Sequence, residues 1–425
     1  MRIQRDRSSL RFGRYARRGQ PLLFALWIIA IGSLLAIVLR LESVQSWVLS
    51  QVQGGTTPTP SAASLAEQGE RAYLNGDLTG AIDWYGQAHA LEPHHMGIAF
   101  EYGRMLIYQS YAGRSSAFLA GDALALAEGM VARAPDDGRA QALLCWALVE
   151  ADRTQEAIGA GLRAIEAAPD FAEAHAYLSL AYLQDERPTF MLDAAQRAVT
   201  LNPDSVDARR ALALALQTQG AVDAAIQQYE VALQLHPRLD ALYFELAVSY
   251  KAQQNYAAAV AVYDRVLASN PDNAKAYTRL CETQYTLGKW THAQEACEQA
   301  ILLDPDYIDA YQQLGKIQYK RRNYEGAAQT LATCAELEAA QGIALAAREV
   351  ECAYIRGLAL VYLGECEEAW ALLSGALTMN PEADQRRAIP SRIARCTEYE
   401  DGFDLADIPT PEPPPTVSPD IIEVY

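Results

Sequence analysis

Residues 242–305 read LYFELAVSYKAQQNYAAAVAVYDRVLASNPDNAKAYTRLCETQYTLGKWTHAQEACEQAILLDP, and one 34-residue pattern is written almost twice in them. The positions that recur at this interval are Tyr243 and Tyr277, Leu246 and Leu280, Ala247 and Cys281, Ala259 and Ala293, and Pro271 and Pro305. A fixed period of this length predicts a repeat architecture, in which each unit buries its apolar face against its neighbours along the chain.

The same pattern extends over residues 62–381. We place the repeats at 62–95, 96–137, 138–171, 172–205, 206–239, 240–273, 274–307, 308–341 and 350–383. The second repeat is eight residues longer than the period, and its surplus fits best at Ser110–Asp122, in the turn between two helices. Residues 341–349 are extra sequence between the last two repeats.

The order of a bulky residue, Leu, a small residue, Ala and Pro resembles the tetratricopeptide repeat. The resemblance implies an all-α fold, in which about nine antiparallel helix pairs stack into a right-handed α-solenoid. It also implies a protein-binding function carried by the concave groove that the first helix of each pair lines. The scaffold is shared by proteins with unrelated partners, so the fold alone does not identify the partner.

Charge is distributed unevenly along the chain. The net charge is −18, yet residues 1–20 hold seven Arg and a single acidic residue, Asp6, which leaves the remaining chain at −24. A strongly acidic body repels phosphate backbones, so we expect no nucleic-acid binding.

The N-terminal part predicts a single-pass membrane anchor. Pro21–Leu39 contains 19 consecutive uncharged residues, enough for a helix that crosses roughly 30 Å of hydrocarbon. A buried core helix or a cleaved signal peptide are the alternatives; a core helix of this length usually carries a charge, and a cleavable signal usually has a shorter apolar region. We therefore predict a basic cytoplasmic segment at 1–20, a transmembrane helix at 21–40 and a spacer at 41–61. Because basic flanks stay in the cytoplasm, the repeats are expected on the outer side of the cytoplasmic membrane.

The C-terminal part predicts a cap and a tail. Residues 382–400 have the composition of a capping helix, which Pro390 should shorten or break. Residues 401–425 are rich in Pro and acidic residues, which predicts an extended, disordered tail.

Motifs for catalysis are missing from the sequence. It contains no phosphate-binding Gly loop, no metalloprotease helix motif and no nucleophile elbow. Its six His are scattered over several repeats, and no two Cys form a Cys-x-x-Cys motif. We therefore expect neither enzymatic activity nor a cofactor, metal site or small-molecule substrate.

Six of the seven cysteines fall between residues 281 and 396, and the register of the repeats predicts three pairs. Positions 8 and 24 of one repeat face each other across its helix pair, late repeat eight adjoins early repeat nine, and the last inter-helix turn can reach the cap. These relations pair Cys281 with Cys297, Cys334 with Cys352, and Cys366 with Cys396. The alternative, that Cys replaces Ala at small core positions, stays open.

Lysine is rare in this chain, and four of its five Lys share one register. In repeats of this family, positions 2, 5, 9, 12 and 13 of the first helix line the concave groove. The residues predicted to form a positive, aromatic-lined groove are Arg210, Phe244, Lys251, Lys275, Arg279, Tyr285, Lys316, Tyr319 and Lys320. Such a groove suits an extended peptide that carries carboxylates. The alternative is that these Lys are ordinary charges on exposed helix faces.

The sequence therefore predicts a membrane-anchored repeat scaffold that binds a partner protein or peptide in its groove. The alternative is a structural subunit of an envelope assembly for secretion, pili or cell-wall polysaccharide, in which the membrane helix also contacts its neighbours.

Overall fold

The computed structural model describes residues 60–113, 116–344, 348, 350–379 and 382–398. The predicted segments 1–20, 21–40 and 401–425 lie outside these residues, as do all but two residues of the segment 41–61. No helix within the described ranges is both long enough and apolar enough to cross a membrane.

The described chain is built from α-helices connected by short turns, with no strand in the described ranges. We number the helices α1 Ala62–Leu74, α2 Leu78–Leu91, α3 Met96–Ser110, α4 Phe118–Arg133, α5 Gly138–Glu150, α6 Thr154–Ala167, α7 Ala172–Gln184, α8 Pro188–Leu201, α9 Val206–Thr218, α10 Val222–Leu235, α11 Asp240–Ala252, α12 Tyr256–Ser269, α13 Ala274–Thr286, α14 Trp290–Leu303, α15 Ile308–Lys320, α16 Tyr324–Ala340, α17 Val350–Leu363, α18 Cys366–Ala376 and α19 Ala383–Ile393. Each odd-numbered helix from α1 to α17 is the first helix of a repeat, and the helix after it is the second. Every helix up to α18 packs against the next one, and most first helices also pack against the first helix of the following repeat.

Close approach within each helix pair depends on a small residue at position 8 of the repeat. A Cβ atom on Gly315 would lie 2.4 Å from Leu331, and one on Gly69 would lie 2.6 Å from the ring of Tyr85. Leu331 and Tyr85 both stand at position 24 of their repeats. Positions 8 and 24 are therefore the contact that holds the two helices of a pair together.

A short helix and a 3₁₀ turn cap the C-terminal end of the repeats. α19 runs for 11 residues with Pro390 inside it, and Ala394–Glu398 then form a 3₁₀ turn. Ile389 and Cys396 are buried against the last repeat, so this segment covers apolar surface that repeat nine would otherwise expose.

In every repeat except the second, the turn between the two helices contains a residue with positive φ at position 15. Gly occupies this position in four repeats, for example Gly288 with φ +72°, whereas Glu186, Gln254 and Arg322 adopt φ between 53° and 64°. A residue with a side chain is less stable in this conformation than Gly by about 1–2 kcal/mol. Part of this cost is offset, because such a residue gives the unfolded chain less conformational entropy than Gly does.

We expect that replacing Glu186, Gln254 and Arg322 with Gly will stabilise the repeats. The gain should be roughly 0.5–1 kcal/mol at each position, measured as the free energy of unfolding in denaturant. Gly288→Ala is the opposite control and should destabilise by a similar amount. Equal stability of the triple variant and the parent chain would contradict the prediction.

Candidate functional site

The basic side chains predicted to line the groove form ion pairs with the following repeat. Lys251 Nζ lies 3.0 Å from Glu282, and Lys316 Nζ lies 2.7 Å from Glu351. Arg279 also contacts Glu282, at 3.3 Å. The groove therefore alternates positive and negative side chains, whereas the sequence predicts a positive surface. Glu282 and Glu351 stand at positions 9 and 2, so a count of carboxylates in the groove register would have revealed this alternation.

Arg210 is buried instead of facing a partner. Its guanidinium lies 2.7 Å from Glu245 and stacks 5.3 Å from the ring centre of Tyr111 and 5.9 Å from that of Trp146. Only 8% of the residue is exposed. Arg210 is therefore part of the internal packing, which differs from the role expected of it.

Lys275 and Phe244 are also engaged within the chain. The Lys275 ammonium donates to the Tyr111 carbonyl oxygen at 2.5 Å and lies 4.8 Å from the centre of the Phe244 ring. Burial, reinforced by the charge of Arg279, lowers the pKa of Lys275 to about 8. The amine is thus committed to contacts within the chain.

The remaining predicted groove residues are more accessible. Tyr285 and Tyr319 are half-buried, Lys320 is exposed, and 39% of the Arg279 side chain is exposed. Tyr319 lies 6.2 Å from Tyr362, between ring centres. Of the predicted set, these residues and the two lysine ion pairs remain within reach of a partner.

The first two repeats contact the fifth to seventh repeats, and we call this contact the closure interface. His236 Nε2 lies 2.8 Å from the Tyr73 carbonyl oxygen, and Arg238 donates to the Asn75 carbonyl oxygen at 3.2 Å. The partners are 163 residues apart in each case. The array therefore makes a contact between repeats that are not neighbours in sequence.

A buried carboxylate holds the inner side of the closure interface together. Asp207, which is 4% exposed, accepts hydrogen bonds from Tyr177 Oη at 2.8 Å, from Arg104 Nε at 3.0 Å and from Tyr108 Oη. An ion pair with Arg104 Nη2 at 2.8 Å adds to them. Side chains of the chain itself thus fill the concave face of repeats two to five. We did not single out these residues from the sequence, although Arg104, Tyr108 and Asp207 occupy groove positions.

A cleft of about 370 Å³ opens beside the closure interface. Its walls come from the α1–α2 turn, the end of α3, the start of α11 and the α12–α13 turn. Asn270 and Asn273 donate to Asp240 at 3.1 and 2.9 Å, so their amides are partly committed to an internal bond. The cleft marks the edge of the closure interface, where Asn75 and Arg238 are exposed, whereas His236 is buried.

His236 should make the stability of this interface depend on pH. Burial lowers its pKa below the ordinary value of about 6.5, and the charge of Arg104 acts in the same direction. The hydrogen bond to the Tyr73 carbonyl oxygen and the charge of Asp207 oppose the fall. The unfolded chain therefore binds the proton more tightly than the folded chain does. The contribution to stability is present above about pH 6.5 and is lost as the pH falls through that value.

We expect the free energy of unfolding to fall between pH 7.5 and 5.5, and the slope to become smaller in His236→Gln. His292→Gln, on an exposed position of α14, is the matched control and should leave the slope unchanged. Denaturant titrations at several pH values measure both slopes. Parallel profiles for the parent chain and His236→Gln would contradict the assignment.

The structure pairs the same six cysteines that the repeat register pairs. Cys281 and Cys297, and likewise Cys366 and Cys396, have Cα atoms 5.4 Å apart, and the sulfur atoms of each pair are joined. The structure also joins Cys334 and Cys352, with Cα atoms 6.1 Å apart. Cys145 is buried and free, and burial raises the pKa of its thiol. Cys281 and Cys297 stand at positions 8 and 24, the contact that Gly315 and Leu331 make in the next repeat.

Metal ligands are not grouped in the described part of the chain, where no three His, Cys, Asp or Glu side chains converge. The polar groups that do converge bind one another, as Asp207 and Arg104 do.

Family models match two stretches of this array. The tetratricopeptide repeat models match residues 192–239 and residues 250–299. The chain contains tetratricopeptide repeats. Proteins with these repeats are generally non-catalytic scaffolds for protein–protein interaction, and the all-helical solenoid predicted from the sequence is confirmed.

Solved structures with similar folds include the Cut9–Hcn1 hetero-tetramer of the APC/C, with a TM-score of 0.52 and 16% identity over 75% of this chain and 59% of that chain. PilF from Pseudomonas aeruginosa is 19% identical over 52% of this chain and 98% of its own, with a TM-score of 0.43. MamA from Desulfovibrio magneticus RS-1 is 23% identical over 40% of this chain and 97% of its own, with a TM-score of 0.36. At such identities the likeness to Cut9–Hcn1 concerns the fold alone. A comparison with curated proteins finds no significant sequence match.

Proposed function

We propose that this protein is a membrane-anchored scaffold that binds a partner protein or extended peptide along the concave side of repeats six to nine and has no catalytic activity of its own. One observation carries the choice of surface. The concave face of repeats two to five is filled by Asp207, Arg104 and Arg210, whereas the side chains of Arg279, Tyr285 and Lys320 remain accessible.

The chemistry of this surface favours a partner segment that carries carboxylates. Lys251 and Lys316 keep 27% and 23% of their side chains exposed while paired. A partner carboxylate can therefore bind the same ammonium from the open side without replacing its ion pair. The half-buried Tyr285 and Tyr319 offer ring surface to the apolar part of such a segment.

Charge substitutions that preserve the ion pair test this proposal. Lys316→Glu alone should reduce capture of the partner because it breaks the ion pair and adds a repelling charge. Lys316→Glu combined with Glu351→Lys restores the pair with the charges exchanged, so stability should recover while binding stays weak. Capture can be measured by photo-crosslinking from position 285 in cells, with position 295 on the outer helix α14 as control. Full recovery of capture in the exchanged variant would show that the pair acts only on folding.

Membrane anchoring is supported by Pro21–Leu39 and by the Arg residues that precede it. Twelve of these 19 residues are Leu, Ile, Val or Phe, each contributing about −0.3 to −0.6 kcal/mol to insertion. The paired cysteines fit a location outside the cytoplasm, where disulfides persist. Protease added to intact spheroplasts should digest the repeats, and protection of the repeats would contradict this topology.

The envelope-assembly alternative differs in what the anchor contributes. If the protein is a free scaffold, exchanging residues 21–39 for an unrelated transmembrane helix should leave partner capture unchanged. If the helix contacts neighbours in an assembly, the same exchange should lose them. Alkaline extraction of both variants checks that each remains inserted in the membrane.

A further inference from the structure

The C-terminal end of the groove carries a cluster of tyrosines beside three cations. We call it the Tyr–Arg patch, and its residues are Tyr319, Lys320, Tyr324, Tyr362, Arg392 and Arg395. The rings of Tyr324 and Tyr362 stack with centres 4.4 Å apart, and Tyr319 lies 5.6 Å from Tyr324. Arg395 places its guanidinium carbon 5.8 Å from the centre of the Tyr362 ring. The patch therefore joins α15, α16 and α17 with the C-terminal cap.

Arg392 belongs to the same cluster by its electrostatic effect. Burial and the neighbouring Tyr362 raise the pKa of Tyr319 to about 12, and the charge of Arg392 opposes the rise. Arg392 also opposes the rise that burial causes in the pKa of Tyr354. The guanidinium thus lies close to both phenol groups.

The cations of the patch lack carboxylate partners within the described residues. Ion pairs on the same helices involve other residues, namely Lys316 with Glu351, Arg356 with Glu368 and Arg387 with Asp384. Lys320, Arg392 and Arg395 form no such pair there. Three unpaired cations around partly exposed rings form an anion-binding surface on a protein whose net charge is −18.

The chain supplies a complementary segment directly after this patch. Residues 399–425 contain seven Asp or Glu and no Lys or Arg. Four of the acids, with Phe403 among them, fall within residues 400–407, which read EDGFDLAD. An extended chain can span about 3 Å per residue, so a stretch of this length can span roughly 24 Å.

We propose that residues 400–407 dock on the Tyr–Arg patch of the same chain, with their carboxylates at Lys320, Arg392 and Arg395 and Phe403 against the tyrosine rings. Attachment to the adjacent cap keeps the segment at an effective concentration in the millimolar range, so weak contacts suffice. The inference goes beyond the proposed function. Tyr319 and Lys320 also belong to the surface proposed for a partner, so the docked segment and a partner would compete for these two residues.

Zero-length carbodiimide crosslinking of the full chain in mild detergent tests the proposal. The reagent joins an ammonium to a carboxylate in direct contact, and mass spectrometry identifies the residues joined. Lys320 should crosslink to Asp or Glu within 400–407. Lys289 is the matched internal control, because it is exposed and also has no ion pair in the described structure. It should not crosslink to residues 400–407.

Substitutions then separate docking from chance encounters. Arg392→Glu with Arg395→Glu should lower the yield of Lys320 crosslinks about tenfold, since it removes two of the three attracting charges. Arg133→Glu with Arg139→Glu changes the net charge equally on exposed positions elsewhere and should have no effect. Equal crosslinking of Lys320 and Lys289 to the segment would overturn the proposal. Crosslinks that form between isotope-labelled and unlabelled chains, and not within one chain, would overturn it in favour of docking between copies.

Discussion

Replacing Asp207 with Ala should lower the free energy of unfolding of the repeat domain by about 4 kcal/mol, because the buried Arg104 guanidinium loses one of its two carboxylate partners and keeps Glu101 alone. The phenol groups of Tyr108 and Tyr177 lose their acceptor at the same time. Denaturant unfolding followed by circular dichroism measures the change. The N-terminal repeats should lose protection first in hydrogen exchange, since Asp207 connects them to repeat five.

Asp223→Ala is the matched control for this substitution. Asp223 is exposed and stands in the first turn of α10, as Asp207 stands in the first turn of α9, so effects of the helix dipole are the same in both variants. We expect a change within about 0.5 kcal/mol for Asp223→Ala. Asp207→Asn keeps two polar atoms in place, so its loss of unfolding free energy should lie between the losses of Asp207→Ala and Asp223→Ala. Similar values for Asp207→Ala and Asp223→Ala would show that the buried cluster does not stabilise the closure.

Reducing the cysteine pairs should destabilise the C-terminal repeats by roughly 3 kcal/mol for each bridge in the loop-entropy description. The bridges close loops with sequence separations of 16, 18 and 30 residues, and all lie in repeats seven to nine and the cap. Because repeats stabilise mainly their neighbours, reduction should melt this end before the closure interface. Hydrogen exchange with and without reductant, read separately for residues 62–240 and 274–398, measures the difference.

Thiol counting provides the direct check on pairing. The denatured protein should show one reactive thiol, that of Cys145, before reduction and seven afterwards. Seven thiols before reduction would show that the cysteines act as small core residues. For stability, Cys281→Ala with Cys297→Ala removes one bridge, and Cys145→Ala, another buried position 8, is its control.

The contacts within one repeat could be predicted from the sequence, and those across the coil could not. The 34-residue period determines which positions meet within a helix pair, so it correctly placed Cys281 opposite Cys297. It also placed Lys316 and Arg210 in the groove register. The period does not determine how many repeats make one turn of the coil, because small rotations between neighbours add up over the array. The proximity of His236 to Tyr73 results from the rotations accumulated over the first five repeats, so the period alone does not predict it.

The same limit explains why the groove differs from the surface we expected. The repeat register determines where a Lys or Arg lies on the first helix, but it does not determine which carboxylate that side chain pairs with. Lys251 pairs with Glu282 and Arg210 with Glu245, in each case in the following repeat. Carboxylates in the same register are visible in the sequence. Their pairing depends on the offset between adjacent first helices, which packing sets.

The closure interface also restricts how this array could have grown. Repeat arrays can lengthen by duplication of a whole unit, since each unit contacts its neighbours alone. Here a unit inserted between Tyr73 and His236 would move the imidazole of His236 one repeat away from the Tyr73 carbonyl oxygen. The closure interface would then break. Duplication or loss is therefore compatible with the fold after repeat seven, whereas the number of units from the first to the seventh is fixed.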